Sequence, residues 1–98
     1  MNYEEMSDFE INKAVSSKFR KVWTWKGKVY LSMTSTKPFD PCNNPNDAFP
    51  IIFENKISTS PTGDSWICGS SVFGTQTIDK NPLRSAMICF LKMRDAEK

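Results

Sequence analysis

The 98-residue chain contains no histidine. That absence removes the commonest general base at neutral pH, the Ser-His-Asp and Cys-His nucleophile arrangements, and most zinc sites. Cysteine is scarce: Cys42, Cys68 and Cys89 are far apart, show no C-x-x-C spacing, and two of them sit in apolar runs where a thiol acts as a small hydrophobe. Neither a metal cage nor a disulfide framework is expected, which suits a reducing compartment. There are only four glycines, and the segment Gly69-Ser70-Ser71-Val72-Phe73-Gly74 lacks the Lys-Ser/Thr pair that a phosphate-binding P-loop requires. No apolar run approaches the ~20 residues that span a bilayer, and the acidic stretch Met1 to Glu10 has no apolar core of a signal peptide. The expectation is a cytoplasmic protein with no membrane partner. A strong net field is missing as well, with 13 basic against 11 acidic side chains, so an electrostatic partner must be met by a local patch.

What is present suffices for a single domain over residues 1–98, since 39% hydrophobic and 12% aromatic residues can fill one small core. Ser7-Asp8-Phe9-Glu10 reads as a capping box, with Met6 and Ile11 as its hydrophobic staple, and starts a helix from about Asp8 to Lys18. Ile11, Ala14 and Val15 share one face of that helix, and Asp8, Asn12 and Ser16 are assigned to another. From Lys21 to Met33 the residues become β-branched and aromatic around Lys26-Gly27, which predicts a hairpin with Gly27 at positive φ. A two-residue turn sets Trp25 opposite Lys28 and Trp23 opposite Tyr30. One face then carries Trp23, Trp25, Lys28 and Tyr30, and the other Val22, Thr24, Val29 and Leu31.

Two Asn-Pro pairs mark further helix starts. Asn44 caps a helix beginning at Pro45 and reaching Asn55, in which Pro50 predicts a kink or two short turns. Asn81 caps a last helix from Pro82 to about Asp95, whose run Ala86-Met87-Ile88-Cys89-Phe90-Leu91 is apolar on nearly all sides and so belongs in the core. Between them Ile57–Ser60, Ser65–Phe73 and Thr75–Ile78 read as strands, with Pro61-Thr62-Gly63-Asp64 as a turn and Gly69 as a bulge or close approach. The expected fold is α+β: a small antiparallel sheet of about four strands packed with three helices, ordered helix-hairpin-helix-hairpin-helix as an α/β sandwich.

Few residues are candidates for chemistry. Asp40 and Asp47 are the nearest carboxylate pair for acid/base or Mg²⁺ work, against the commoner capping role of Asp at a helix start. At the start of the last helix, free N–H groups and Arg84 could face an anion, although Pro82 removes one donor. Lys18, Arg20, Lys21, Lys26 and Lys28 fall within eleven residues that hold no acid. Together with Trp23, Trp25 and Tyr30, the hairpin lysines make a surface that could stack a base and pair a phosphate. The same aromatics would equally serve as core if a helix covered that face.

Three blocks carry a resemblance to a known family: Ser7 to Val15, Asp40 to Ile52, and Asn81 to Met87. In order and spacing they resemble the NinX family of lambdoid bacteriophages, small accessory proteins related to phage α/β sandwich domains. Phe49 stands where the pattern expects tryptophan, and Lys92 interrupts a stretch that is usually more apolar. The resemblance implies a phage protein in the bacterial cytoplasm and supplies no catalytic residue and no cofactor. The resulting expectation is a non-enzymatic protein that binds and blocks or sequesters a host component, in counter-defence or takeover. Its partner would be a host protein or a small nucleotide-like anion, met by Trp23, Trp25, Lys26, Lys28, Tyr30, Asn44 and Arg84, with a homo-oligomer enclosing a small ligand. The alternative is single-stranded nucleic-acid binding by the hairpin.

Overall fold

The computed structural model describes residues 2–18, 23–31, 37–70 and 74–96. A 3-10 turn at Tyr3–Glu5 leads to the capping box. There the Glu10 N–H donates to Ser7 Oγ at 3.2 Å and the Ser7 N–H donates to Glu10 Oε1 at 3.1 Å. Helix α1 runs Asp8–Ser17 and buries Ile11, Asn12, Val15 and Ser16. Asn12 and Ser16 therefore lie on the buried arc beside their apolar neighbours, and the expected polar face is corrected for both.

Strands β1 (Trp23–Trp25) and β2 (Lys28–Tyr30) form the hairpin in the expected register, Trp23↔Tyr30, Thr24↔Val29 and Trp25↔Lys28. Lys26 joins Gly27 at positive φ, 51° and 74°, the combination that a type I′ turn demands. Glycine takes that conformation without steric cost; the lysine does not. The hairpin's outer parts (Lys21, Val22, Ser32, Met33), the basic Arg20 and the strand end Ser71–Phe73 lie outside the described residues.

Helix α2 runs Pro45–Glu54 as one piece through Pro50, and not as two short turns. Asn46 and Pro50 are both exposed, so the carbonyl that loses its donor is within reach of water. Strands β3 (Ser58–Thr62), β4 (Ser65–Ser70) and β5 (Thr75–Asp79) make an antiparallel sheet in the order β3-β4-β5. Their first turn is shorter than the sequence suggests. Pro61 and Thr62 pair with Trp66 and Ser65, which leaves Gly63-Asp64 as the turn, and Pro61 is tolerated because β3 is an edge strand. Pairing continues in step through Gly69, so it marks no bulge. Its role is a close approach: a Cβ there would lie 2.9 Å from the Thr75 carbonyl oxygen.

Helix α3 (Pro82–Ala96) buries everything from Ser85 to Leu91 and packs on β4, β5, α1 and α2. Thr77 reaches it from the sheet, donating to the Ser85 carbonyl at 2.6 Å. Among the described residues the α+β expectation therefore holds with three helices, while the single sheet of about four strands becomes five strands in two sheets. One of the hairpin's two outer edges, that of β2, is engaged. Phe39 donates its N–H to the Val29 carbonyl at 2.6 Å, and β2 rests on α1.

Candidate functional site: the aromatic hairpin and its cleft

Pairing fixes which way each hairpin side chain points. Val29 is 1% exposed and faces the core, while the opposite face leaves Trp23 36% and Trp25 66% exposed. Lys28 is exposed and Tyr30 half-buried. Lys26 Nζ stands 5.8 Å from the centre of the Trp25 ring, within cation–π reach. Of the seven expected contact residues, Trp23, Trp25, Lys26 and Lys28 are exposed on this hairpin and Tyr30 is half-buried. The Trp25 indole, mostly exposed beside the Lys26 ammonium, forgoes burial that the fold could otherwise have used.

Next to the hairpin turn lies a cleft of about 340 Å³ between Gly27 and Lys28, α1 and the segment around Phe39 and Asp40. Its polar wall is a hydrogen-bond network that the sequence pattern does not announce. Asn12, nine-tenths buried, donates to Asp40 Oδ1 at 2.8 Å and accepts from the Cys42 N–H at 3.2 Å. Asn43 donates to Asp8 at 3.1 Å and to Asp40 at 3.2 Å. Asn81 donates to the Cys42 carbonyl at 2.6 Å. The three blocks that carry the family resemblance thus meet here, each supplying a side chain that bonds to another block. Asn12 is the residue missed by sequence reasoning, and its signal is position: it sits between Ile11 and Val15 on the arc that packs inward.

Arg84, one of the expected ligand contacts, belongs to this network. Its guanidinium donates to Asp8 Oδ1 at 2.7 Å, Asp79 Oδ2 at 3.2 Å, the Met6 carbonyl at 2.6 Å and the Glu4 carbonyl at 3.3 Å. Only 13% of its side chain is exposed. Desolvation pulls its pKa down, but the bond to Asp8 and the charges of Asp8 and Asp79 outweigh this and raise it. The N–H groups that could have faced an anion at the start of α3 are capped by Asn81, as expected of an Asn-Pro helix start. Asn81 Oδ1 accepts from the N–H of Leu83 at 2.9 Å and of Arg84 at 3.4 Å, and Pro82 has none to offer.

Asn44 is exposed and accepts from the Asn46 N–H at 3.0 Å, as a helix cap does. The carboxylate pair is likewise occupied with structure. Asp47 accepts from the Asp40 N–H at 3.0 Å, and Asp40 accepts from Asn12 and Asn43. All three thiols are free and buried, and burial pushes Cys42 up to about 12 and Cys89 up to about 11, far from a reactive thiolate. Among the described residues, no group of three His, Cys, Asp or Glu side chains could hold a metal ion, and no helix is long and apolar enough to cross a membrane.

Compared with known proteins, residues 2–94 match the family model described as "Bacteriophage P22, NinX". No curated protein and no solved structure gives a significant match.

Proposed function

The chain belongs to the bacteriophage P22 NinX family, and from that membership we propose that it is a non-enzymatic phage accessory protein that binds and blocks a host protein through its hairpin face. The observation that carries this reading is the pair of exposed indoles, Trp23 and Trp25, on a hairpin whose opposite face is anchored by buried Val29. Aromatic side chains of this kind dominate binding energy at protein interfaces, and Lys26 and Lys28 add a preference for acidic surfaces. The absence of histidine and the structural employment of Asp40, Asp47 and Arg84 support a binding role over catalysis. The site of action is the cytoplasm of the infected bacterium, and counter-defence or takeover is the purpose that suits such a protein.

A protein partner is favoured over a small phosphate-bearing ligand by the charge of the cleft. Asp8 and Asp40 line it beside Lys28, so a phosphate entering there would meet two carboxylates. The lysine beside the Trp25 ring supports one second reading, stacking of a single-stranded nucleic acid. The two predict different outcomes. Tagged chain and its Trp25→Ala variant are used to capture binders from host lysate, which are analysed for proteins, nucleotides and nucleic acid. The expected result is a host protein retained by the parent and weakened by roughly 30-fold or more in the variant, as truncating an interface hot spot does. A binder whose affinity falls steeply with salt and that proves to be single-stranded DNA or RNA would replace this reading. A capture profile identical for parent and variant would end both.

A further inference from the structure

The polar wall of the cleft beside the hairpin holds more hydrogen-bond acceptors than donors. Asn43 Nδ2 lies 3.1 Å from Asp8 Oδ2 and 3.2 Å from each oxygen of Asp40, so three carboxylate oxygens share the two hydrogens of one amide. Asn12 adds one bond to Asp40 Oδ1 at 2.8 Å, and Arg84 one to Asp8 Oδ1 at 2.7 Å. A carboxylate has about four lone-pair sites, and neither is filled. Charge is unbalanced in the same place. Arg84 is shared between Asp8 and Asp79, and the Asp47 carboxylate stands behind Asp40, 3.0 Å from its N–H. Among the described residues no cation pairs with Asp40 or Asp47. The bridging amides satisfy some of the oxygens but cancel none of the charge.

Building on the host-binding reading of the hairpin, we propose that this cleft takes an arginine side chain presented by the same host protein. Gly27 and Lys28 form one side of the cleft, so a side chain that enters it belongs to whatever covers the hairpin. Its volume of about 340 Å³ lies at the low end of the ~300–1,000 Å³ of small-molecule sites, which suits one long side chain.

Arginine matches the lining chemically. It carries five N–H donors and no acceptor, as walls short of donors require, and its planar fork engages two carboxylate oxygens at once. Phe9, Pro38 and Phe39 supply the apolar part of the lining. A weakly hydrated guanidinium packs against aromatic side chains, whereas an ammonium gives up a tighter water shell to do so. Lys28, exposed at the mouth, opposes any cation. A free cation is therefore held weakly, and the partner must set an acid against Lys28 beside its arginine. The two charges together decide which protein is accepted.

NMR of the isotope-labelled full chain, titrated separately with arginine and lysine blocked as their N-acetyl amides, tests the cleft without any host protein. The arginine derivative is expected to shift the Asn12 and Asn43 side-chain amides and the Gly27 N–H saturably. It should bind roughly 10-fold tighter than the lysine derivative, the worth of one further hydrogen bond to a charged group. Asp40→Asn, which keeps an acceptor for Asn12 and Asn43, should weaken it by a similar factor, and Lys28→Glu should tighten it. If Asp40→Asn fails to fold, Lys28→Glu decides alone, because that side chain is exposed. No saturable shift at those amides, an equal response to both derivatives or to Mg²⁺, or an affinity unmoved by Lys28→Glu overturns the proposal. The host-binding reading fails separately. Identical capture by parent and Trp25→Ala ends that reading, whereas a host protein lost on Trp25→Ala with no response to the arginine derivative ends only the assignment of the cleft.

Discussion

Arg84 is held by four acceptors from two separate stretches of chain, three of them, Glu4, Met6 and Asp8, 76 or more residues away in sequence. Removing the guanidinium would strand the Asp8 and Asp79 carboxylates and two carbonyls in a half-buried site. Breaking a fully buried pair costs about 3–5 kcal/mol, and because 45% of the Asp8 side chain reaches water the expected loss for Arg84→Ala is about 2–3 kcal/mol. Arg84→Lys recovers only part of it, since one ammonium cannot span the same fork. Urea unfolding of both variants checks the ranking, and an Arg84→Lys protein as stable as the parent would contradict it. The same residue shows where sequence reading stops. The Ser7 and Glu10 bonds span three residues and were legible from the motif, as was the Asn81 cap. Asn12, whose partners lie 28 and 30 positions on, and Arg84 were not, because nothing local in the sequence records a partner brought up by tertiary folding.

Among the elements, the hairpin was the most legible, because a two-residue turn fixes the register and the register fixes both faces. Which face would be covered was open, and only the docking of Val29 against the core decides it. At Pro50 in helix α2, propensity registers the missing donor but not the solvent beside it. Proline in a helix interior costs about 3 kcal/mol relative to alanine, while it saves about 0.4–1 kcal/mol by stiffening the unfolded chain. Pro50→Ala is therefore expected to stabilise the protein by about 2–2.5 kcal/mol, a rise of several degrees in melting temperature measured by calorimetry. Gly69→Ala should do the reverse. Its new Cβ would press on the Thr75 carbonyl oxygen at 2.9 Å, a backbone atom that cannot rotate away, and overpacking of this kind costs about 1–3 kcal/mol. A Gly69→Ala protein melting at or above the parent temperature would show that β5 yields more easily than its pairing with β4 suggests.

For the molecule as a whole, the protonation states buried with the core make alkali more damaging than mild acid. Burial raises the thiols of Cys42 to about 12 and Cys89 to about 11 from an ordinary 9.0, and raises Cys68 in the same direction. Tyr3 rises from 10.0 to about 12 through burial and then its 2.6 Å bond to Asp95. A raised pKa in the folded state means that stability is fully present below the unfolded value and is lost as pH climbs towards the folded one. The window is therefore pH 9 to 12, where the unfolded chain releases protons that the folded chain retains. On the acid side the bond from Lys92 holds Glu4 below its ordinary 4.5, so that contribution is present above 4.5 and lost below it. The pair is more than a third exposed on the Glu4 side, and such pairs add less than about 1 kcal/mol. At about 1.4 kcal/mol per pH unit for each shifted group, Cys42, Cys89 and Tyr3 together are expected to remove roughly 3–5 kcal/mol between pH 8 and 10.5. That is a large share of the roughly 5–15 kcal/mol that holds a domain folded. Urea midpoints measured across this range should fall steeply in the parent and less steeply in Cys89→Ala, which has one fewer proton to lose, even though the variant starts lower at neutral pH. A flat profile from pH 8 to 10.5 would mean that the thiols ionise in the folded state without cost, which a core sealed around Cys42, Cys68 and Cys89 does not permit.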